Sequence, residues 1–497
     1  MTENAGTNSA IGWRFDNSYA RLPELLFTRE QPLPVRYAGL TVLNEPLAEM
    51  LGLDADRLRA DGPPIFAGNA LPDGADPLAQ AYAGHQFGHF TMLGDGRAIL
   101  LGEHLMPNGQ RVDIQLKGSG RTRYSRGGDG RAVLGPMLRE YIISEGMAAL
   151  GIPTTRSLAV VATGESVQRQ QPLPGAVLTR VAASHIRVGT FQFAAGMGDT
   201  RLLAALFDYT LIRHDPDLVD ADEPVLAFLE AVVERQASLL AKWMLVGFVH
   251  GVMNTDNMTV SGETIDYGPC AFLDTYHPNT VFSSIDHGGR YAFGNQPAIA
   301  QWNLARLAEA LLPLLIKEGE QTQEQAVEKV MEILERFPDR YAREHLAGAR
   351  SKLGLSVSEE EDADLFASLL EVMQQTQADF TSTFVGLAHL LESDSQVSGP
   401  LSEPAFKLWL KRWRTRLDRE PESVAHAASR MRLVNPVIIP RNDRVEEALA
   451  AAESGDLEPV NRLLTVVQHP FCETPENLGY REGAAAGSPP YCTFCGT

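Results

Sequence analysis

The sequence predicts an α+β fold in which a β-rich part precedes a larger helical part. Residues 94–117 contain a glycine-rich turn and two strand-like segments, which are joined at Asn108-Gly109, a pair typical of hairpin turns. From Asp199 onward, apolar residues recur almost throughout at helical spacing. One polar loop, 250–268, interrupts that helical pattern, and we expect it to lie where the two parts meet.

Length, composition and charge limit the class of protein. A chain of 497 residues is too long for one ordinary core, so two or three structural units are expected. The net charge of −20 disfavours broad binding to nucleic acids or anionic membranes, because their phosphate groups would be repelled. No apolar run has the length of a bilayer span, and residues 1–11 lack the features of a signal peptide. We therefore expect a cytoplasmic protein that binds neither nucleic acid nor membrane.

The N-terminal segment is expected to be a loose tail followed by an extended arm over Phe15–Pro34. Helical spacing over 43–51 predicts a short helix, which the Gly-Pro-Pro at 62–64 must stop. The stretch 77–92 begins with helical spacing and then becomes irregular through Gly84-His-Gln-Phe-Gly88.

The β-rich part is predicted to contain about five strands and one main helix. Alternation or β-like composition marks 98–103, 111–117, 157–162 and 176–181, and helical spacing marks 134–150. We expect a loop at 168–174.

Several residues of this part are suited to phosphate binding. Glycines at 94 and 96 allow close backbone approach to a phosphate, although an ordinary β-turn has the same pattern. The arginine-rich loop 119–131 fits phosphate or a solvated basic surface. Lys117 ends a buried-looking strand and Glu140 lies on the next helix, so the two side chains either form a pair or are unrelated surface charges.

The remainder is predicted to be helical, with one long irregular segment at 274–296. Helices are expected at 224–246, 298–315, 322–337, 362–391 (one or two), 405–416, 422–432, 444–453 and 457–467.

The loop 250–268 carries three oxygen-donating side chains, Asp256, Asn257 and Asp266. Carboxylate and amide oxygens suit Mg²⁺ or Mn²⁺. A short β-like run is predicted at 258–260.

The spacing in this loop resembles that of protein kinases, in which a metal-binding Asn follows a His by seven residues and an Asp-Phe-Gly comes later. His250 and Asn257 have that separation, and Asp266-Tyr-Gly268 takes the second place. Val252 occupies the position of the catalytic base and cannot accept a proton. Either phosphoryl transfer to a hydroxyl is crippled, or a different residue takes the proton, and Asp256 is the nearest candidate. Alternatively, His250 is a core histidine, and the polar residues belong to ordinary turns.

Over nearly its whole length the chain resembles the selenoprotein O family, protein adenylyltransferases with a kinase-like fold. The motifs that carry the resemblance are Gly84-His-Gln-Phe-Gly88, Leu93-Gly-Asp-Gly-Arg97, Gln115-Leu-Lys-Gly-Ser-Gly-Arg121, Gly127-Gly-Asp-Gly-Arg131 and His250-Gly-Val-Met-Asn-Thr-Asp-Asn-Met258. The resemblance implies a two-lobed pseudokinase fold: an arm and extension (1–91), a β-rich N-lobe (92–195), a helical C-lobe (196–400), and a helical extension with a cysteine-containing tail (401–497).

The resemblance also implies that ATP binds in a flipped orientation and that AMP passes to a serine, threonine or tyrosine hydroxyl of a protein. Asp256 would then be the base, and Asn257 and Asp266 would bind Mg²⁺ or Mn²⁺. Arg180 and Arg187 would hold the buried γ-phosphate. The other expected nucleotide contacts are Gly94, Gly96, Arg97, Lys117 held by Glu140, Asp129, Gly130 and Asp266.

The four cysteines suggest redox regulation within this family resemblance. We hypothesise a disulfide between Cys270 and either Cys492 or Cys495, with a zinc site as the alternative. For the activity itself, the alternatives are UMP transfer from UTP, an ordinary kinase that uses Asp256, and an inactive nucleotide-binding regulator.

Overall fold

A computed structural model describes residues 11–316, 322–392, 399–483 and 491–493. This part of the chain joins a large antiparallel sheet to a group of helices, which confirms the expected mixture of α and β structure. None of its helices combines the length and the apolar character that crossing a membrane requires. The strands are β1 (Phe27–Arg29), β2 (Gly39–Leu43), β3 (Leu78–Gln80), β4 (Ala83–Gln86), β5 (His89–Met92), β6 (Ala98–Leu105), β7 (Arg111–Lys117), β8 (Ala132–Val133), β9 (Arg156–Gln168), β10 (Pro172–Ala182), β11 (Phe248–Val249) and β12 (Ala271–Phe272).

The helices follow the predicted periodicity closely. Gly247, with φ +72°, ends the long helix as a left-handed cap, and Thr322 begins another through a capping box. The α-helices are α1 (Glu45–Met50), α2 (Ala55–Asp61), α3 (Pro63–Phe66), α4 (Leu134–Ala149), α5 (Val188–Gly196), α6 (Thr200–His214), α7 (Pro224–Val246), α8 (Gln296–Leu315), α9 (Gln323–Glu335), α10 (Phe337–Lys352), α11 (Asp362–Thr376), α12 (Phe380–Glu392), α13 (Pro404–Leu417), α14 (Val424–Val434), α15 (Asn442–Glu453) and α16 (Glu458–Val467).

The main sheet is larger than the five strands expected. Its eight strands run in the order β1-β3-β6-β7-β10-β9-β2, and β8 pairs with β10. The additional strands include β1, β2 and β3, which are only three to five residues long and too short to show a clear alternation. The arm expected to be wholly extended over Phe15–Pro34 also contains two 3₁₀ turns, at Tyr19–Arg21 and Glu24–Leu26.

Helices cover both faces of this sheet. Val160 and Leu178 pack in one core cluster with α4, whereas the adjacent Val161 and Val177 pack in another with α1, α2 and α3. Neighbouring residues of a strand point to opposite faces, so these strands are buried on both sides.

The stretch 77–92 was predicted wrongly as helix-like and then irregular. It forms β3 and then the hairpin of β4 and β5, whose turn is Phe87-Gly88 with φ values of +50° and +89°. Two successive residues with positive φ are typical of a type I′ turn, which matches the twist of a hairpin. Phenylalanine is an unusual residue in such a turn, so its sequence gave no turn signal.

The predicted β-like run at 258–260 is confined to a single antiparallel bridge, flanked by backbone hydrogen bonds of Met258 and Val260. Thr259 forms an isolated bridge with Arg187, and the strand pair of this region is β11 with β12. A third core cluster, formed by α10–α14, lies in the C-terminal part of the chain, and it contains residues from β11 and β12 as well. Thus the loop between β11 and β12 is enclosed by the sheet on one side and by helices on the other.

Candidate active site

A cavity of about 500 Å³ opens between the main sheet and the loop that joins β11 to β12. Three elements supply most of its walls: the glycine-rich turn before β6, the arginine-rich loop after β7, and the segment 252–269. Among the residues proposed from sequence, the cavity is lined by Gly94, Gly96, Arg97, Lys117, Asp129, Gly130, Arg180, Arg187, Asp256, Asn257 and Asp266.

At the sheet side of the cavity, two buried cations and two carboxylates form one cluster. Lys117 Nζ lies 2.6 Å from Glu140 Oε2 and 3.3 Å from Asp266 Oδ1. Arg180 Nη2 lies 2.5 Å from Glu140 Oε1 and 2.7 Å from Asp266 Oδ1. Glu140 lies behind Lys117 and Arg180 and orients both, while its own side chain is outside the cavity lining.

The electrostatics of this cluster favour its charged forms. Burial alone would raise the pKa of Asp266, but Arg180, Lys117 and Arg187 outweigh it and hold that pKa well below its ordinary value. Burial lowers the pKa of Lys117, and Glu140 counteracts that effect. A phosphate group entering here would meet several preformed positive charges.

Arg187 supplies a further buried cation. Its guanidinium lies 4.5 Å from the centre of the Tyr82 ring and 3.4 Å from Asp266 Oδ2. Its Nη1 donates to the backbone oxygen of His185, and Asp95 Oδ1 is 3.7 Å from the same nitrogen. Arg187 Nε is buried without a hydrogen-bond partner among the described residues, so the guanidinium still has a donor to offer.

The loop after β11 contains a buried histidine that supports the fold and, next to it, residues that line the cavity. His250 is fully buried, stacks on Trp243, and its Nε2 lies 2.8 Å from the backbone oxygen of Ile265. It is a core histidine that holds the two ends of the loop together. Val252 lines the cavity and accepts a hydrogen bond from Asn257 Nδ2 through its backbone oxygen.

Asp256 is the carboxylate best placed to accept a proton. It is 8% exposed, and its Oδ1 is buried with no hydrogen-bond partner in the described part of the chain. Burial raises its pKa to about 6. A carboxylate that lines the cavity and has a pKa near neutrality is a suitable acceptor for the proton of a substrate hydroxyl.

The hairpin of β4 and β5 presses directly against this loop. His85 N donates to Thr255 Oγ1 at 2.7 Å, and Phe87 N donates to Asn254 Oδ1 at 3.1 Å. A Cβ placed on Gly84 would lie 2.1 Å from Asp256 Oδ1, so only glycine fits there. The hairpin therefore fixes the position of the Asp256 carboxylate.

Asn257 and Asp266 form a donor set that fits Mg²⁺ or Mn²⁺. The Asn257 amide nitrogen is used by Val252, which leaves its oxygen available, and Asp266 remains charged. Asp266 has φ +62°, a backbone conformation that residues other than glycine rarely adopt. Nowhere in the described residues do three His, Cys, Asp or Glu side chains form a metal cluster.

The two glycine-rich elements approach each other at the mouth of the cavity. Gly94 has φ +147°, and a Cβ on it would collide with the Tyr124 ring at 2.4 Å. Gly130 has φ +68° and lies directly against the backbone of Gly120. Asp129 pairs with Arg169 at 2.8 Å, which steadies the second loop.

The cysteines are free thiols where the structure describes them. Cys270 is fully buried, which raises its pKa to about 12 and makes it a weak nucleophile. Cys492 is exposed, and the next residue, Thr493, donates through Oγ1 to the backbone oxygen of Pro269. Cys495 lies outside the described residues. The disulfide hypothesis thus stays a prediction, and it requires that Cys270 first become accessible.

Sequence reasoning missed several residues of the cavity. Tyr82, Gln86, Phe87, Asp95 and Asn254 all line it. Asp95 stands between the two glycines that were singled out, and burial raises its pKa to about 6. Its position between Gly94 and Gly96 could have identified Asp95 as a cavity residue. No local pattern marks Tyr82, because its contact with Arg187 joins residues that are far apart in the sequence.

The chain is similar to known proteins over nearly its whole length. A family model described as "Protein adenylyltransferase SelO" matches residues 10–468. A protein named "Protein nucleotidyltransferase YdiU" from Geobacillus kaustophilus is 59% identical over 488 residues, covering 98% of this chain and 99% of that protein. Proteins of the same name from Syntrophotalea carbinolica (100% of each chain) and Rhizobium etli (97% of each chain) are both 56% identical.

Proposed function

The chain belongs to the protein adenylyltransferase SelO family and is a nucleotidyltransferase, and we propose that it transfers AMP from ATP to serine, threonine or tyrosine hydroxyls of proteins. The observation that carries this proposal is the arrangement of Asp256 beside the buried cations Arg180 and Arg187 in one cavity. The kinase base position holds Val252, so any proton acceptor must come from elsewhere in the loop.

A flipped nucleotide fits the distribution of charge. Arg180 and Arg187 are 1% and 2% exposed, so the deepest part of the cavity is strongly cationic. An adenine ring placed there would offer no anion to a pocket already rich in positive charge, where Arg187 Nε has no hydrogen-bond partner among the described residues. A γ-phosphate would pair with Arg180 and Arg187, and the α-phosphate would then lie nearer the cavity mouth.

The reaction requires one proton acceptor and stabilisation of one leaving group. Asp256 takes the proton of the acceptor hydroxyl as its oxygen forms a bond to the α-phosphorus. The bond between the α-phosphorus and the oxygen that bridges to the β-phosphate breaks, and pyrophosphate leaves with that electron pair. Lys117, Arg180 and Arg187 bind the pyrophosphate and neutralise its increasing charge.

A bound Mg²⁺ or Mn²⁺ would supply additional positive charge to the phosphate oxygens. Asn257 and Asp266 would hold it. Asp266 now pairs with Lys117, Arg180 and Arg187. Phosphates bound by those cations would take over part of that pairing and leave the Asp266 carboxylate available to hold the ion.

We extend the proposal to the architecture. Residues 92–195, which contain five of the eight strands of the main sheet, would correspond to a kinase-like N-lobe, and 196–400 would correspond to the helical C-lobe. Residues 1–91, which supply the other three strands of that sheet, and residues 401–497 would be extensions of the two lobes. What supports this correspondence is the position of the cavity between the sheet and the loop after β11.

The test uses ATP labelled at either the α- or the γ-phosphate, with Mg²⁺ or Mn²⁺ present. Incorporation of the α-label alone into protein is expected, and UTP labelled at the α-phosphate in a parallel reaction measures the competing UMP transfer. Incorporation of the γ-label would identify a kinase and contradict the flipped nucleotide. Bound nucleotide without any transfer to the protein itself or to added protein would favour an inactive regulator.

A further inference from the structure

The hairpin that holds Asp256 also presents an open strand edge. Leu93 N donates to the backbone oxygen of Tyr82, and Asp95 N to that of Gln80, which fixes the hydrogen-bonding phase of this ladder. In an antiparallel pair, hydrogen-bonded and non-hydrogen-bonded residue pairs alternate. The pairs His85–Phe90 and Ala83–Met92 are therefore of the non-hydrogen-bonded kind.

It follows that the backbone N–H and C=O groups of Phe90 and Met92 point away from β4. No strand of the described residues pairs with this outer side of β5, since β4 and β5 form a sheet of two strands. The side chains of Phe90 and Met92 are 48% and 45% exposed. Exposed edges that carry apolar side chains favour pairing with another chain, and proteins usually protect them.

One face of the β4–β5 hairpin contacts Asp256. Successive residues of a strand point to opposite faces, so His89 and Thr91 share the face of their partners Gln86 and Gly84. Gly84 contacts Asp256 on that face. A strand added to β5 would consequently present every second side chain on the Asp256 side of the hairpin.

A free cation lies at the hairpin tip. The Arg290 guanidinium lies 4.0 Å from where a Cβ of Gly88 would be, and it stacks on the Trp302 ring at 5.0 Å. Throughout the described ranges, no carboxylate forms an ion pair with Arg290, and its Nε is buried without a hydrogen-bond partner. In a chain of net charge −20, an arginine held in place by an aromatic ring and left without a counterion favours an acidic ligand.

We propose that β5 is the docking edge for the acceptor protein, an extended acidic segment of which adds to it as a third strand and pairs a carboxylate with Arg290. This inference rests on the proposed function, because it concerns the protein that receives the nucleotide. Backbone pairing provides affinity with little dependence on sequence, as in other cases of strand addition.

The geometry also limits where the modified hydroxyl lies. Neighbouring strands are about 4.8 Å apart, so the added strand lies roughly 10 Å from β4 and its contact with Asp256. An extended chain advances about 3.3 Å per residue. Crossing the distance to β4 takes about three extended residues, so the acceptor residue is expected about three residues outside the paired segment.

The experiment compares polymer acceptors with a small one. Poly(Glu,Tyr) is acidic and extended, poly(Lys,Tyr) is its basic counterpart, and N-acetyltyrosinamide has a hydroxyl but no chain that can add to a strand. Met92→Pro removes an outward amide and is compatible with an edge strand, whereas Met92→Ala removes the side chain only. We measure transfer of α-label from ATP by wild type and both variants.

The wild type is expected to prefer poly(Glu,Tyr) to poly(Lys,Tyr). Met92→Pro should lower kcat/KM for poly(Glu,Tyr) about tenfold through lost backbone pairing, with Met92→Ala retaining most of it. Both variants should label N-acetyltyrosinamide as the wild type does, which shows that the hairpin is folded. Hydrogen exchange at the Phe90 and Met92 amides of the wild type should slow when poly(Glu,Tyr) is added.

Some results would overturn the docking inference and leave AMP transfer intact. One is that Met92→Pro and Met92→Ala change kcat/KM for poly(Glu,Tyr) equally. Another is that α-label enters the small acceptor or the protein itself but does not enter poly(Glu,Tyr). Unchanged amide exchange would also overturn it. If no α-label enters any acceptor, the proposed function itself fails, and the docking inference fails with it.

Discussion

Two buried lysines show how differently the molecule uses charge in its two regions. Lys117 lies beside the cavity with Glu140 and Asp266 as counterions. Lys352, at the end of α10, is 4% exposed and has its Nζ 3.9 Å from the centre of the Phe384 ring. No carboxylate in the described part of the chain forms an ion pair with it, and burial lowers its pKa to about 7.

The buried cations at the cavity and the buried lysine of the helical region are stabilised in different ways. Around the cavity, each buried cation has a carboxylate that keeps it ionised and ready for phosphate. In the helical region, the aromatic rings of Phe380 and Phe384 lie beside a buried lysine whose pKa is lowered to about 7. Substitutions at the first site should therefore change activity, and those at the second should change stability.

The largest effect is expected from Asp256→Asn. Without a proton acceptor, transfer of AMP should fall about 10³-fold, while nucleotide affinity remains unchanged, because the amide retains the size of the carboxylate. Single-turnover transfer of α-label and equilibrium binding of ATP measure the two quantities. Asp364→Asn, at an exposed carboxylate of α11, is the matched control and should leave both unchanged. Full activity of Asp256→Asn would assign the base to another group.

Lys117→Met should lower transfer about 10²-fold, since one of the cations that neutralise the leaving pyrophosphate is lost. Arg180 would still pair with Glu140, so the fold should be retained. The measurement is kcat/KM for α-label transfer together with the far-ultraviolet circular dichroism spectrum. Lys352→Met, at the other buried lysine, should have normal activity. Equal losses in both variants would remove the distinction between the two regions.

Lys352→Met should instead stabilise the protein by about 2 kcal/mol at pH 7, because a costly buried cation is replaced by an apolar side chain. In the wild type, the folded state holds fewer protons than the unfolded state between about pH 7 and 10.5, so its stability rises with pH over that window. The advantage of the variant should accordingly disappear by about pH 10. Urea denaturation at both pH values measures it, and an advantage that does not vary with pH would contradict the lowered pKa.

The smallest effects are expected from removing an aromatic ring beside Arg187 or Lys352. Tyr82→Leu removes the ring beside Arg187 and should weaken ATP binding by about 1 kcal/mol. Phe384→Leu removes the nearer of the two rings beside Lys352 and should lower the free energy of unfolding with no change in ATP affinity. Isothermal titration and chemical denaturation of both variants provide the full comparison. A loss of ATP affinity in Phe384→Leu would show that the two regions are coupled.

Local patterns predicted much of the fold. The alternation of 98–117 and the helical spacing of 134–150 each correspond to elements within a few residues of the predicted bounds. The expected meeting of Lys117 with Glu140 is present at 2.6 Å. These features depend on short-range periodicity or on the order of a strand and the helix after it, both of which a single sequence records.

Features that depend on distant residues were not predicted. The turn at Phe87-Gly88 requires positive φ at a phenylalanine, and its contacts with Asn254 and Thr255 link residues about 170 positions apart. Nothing near residue 87 in the sequence records that partner. Catalytic and nucleotide roles, which came from the family resemblance, remain predictions for the experiments above.

The two edge strands of the main sheet also bear on how the chain folds. β1 and β2 are close in sequence, but they lie at opposite edges, and Gly39 of β2 pairs with Ala162 of β9. During synthesis β2 is made long before its partner strand β9 and stays unpaired in the meantime. Its apolar residues Leu40 and Val42 can then contact other chains. Closing so long a loop is slow, and an open strand encourages aggregation while it lasts. Refolding yield should therefore fall as protein concentration rises, and β9 is the element whose arrival protects the nascent chain.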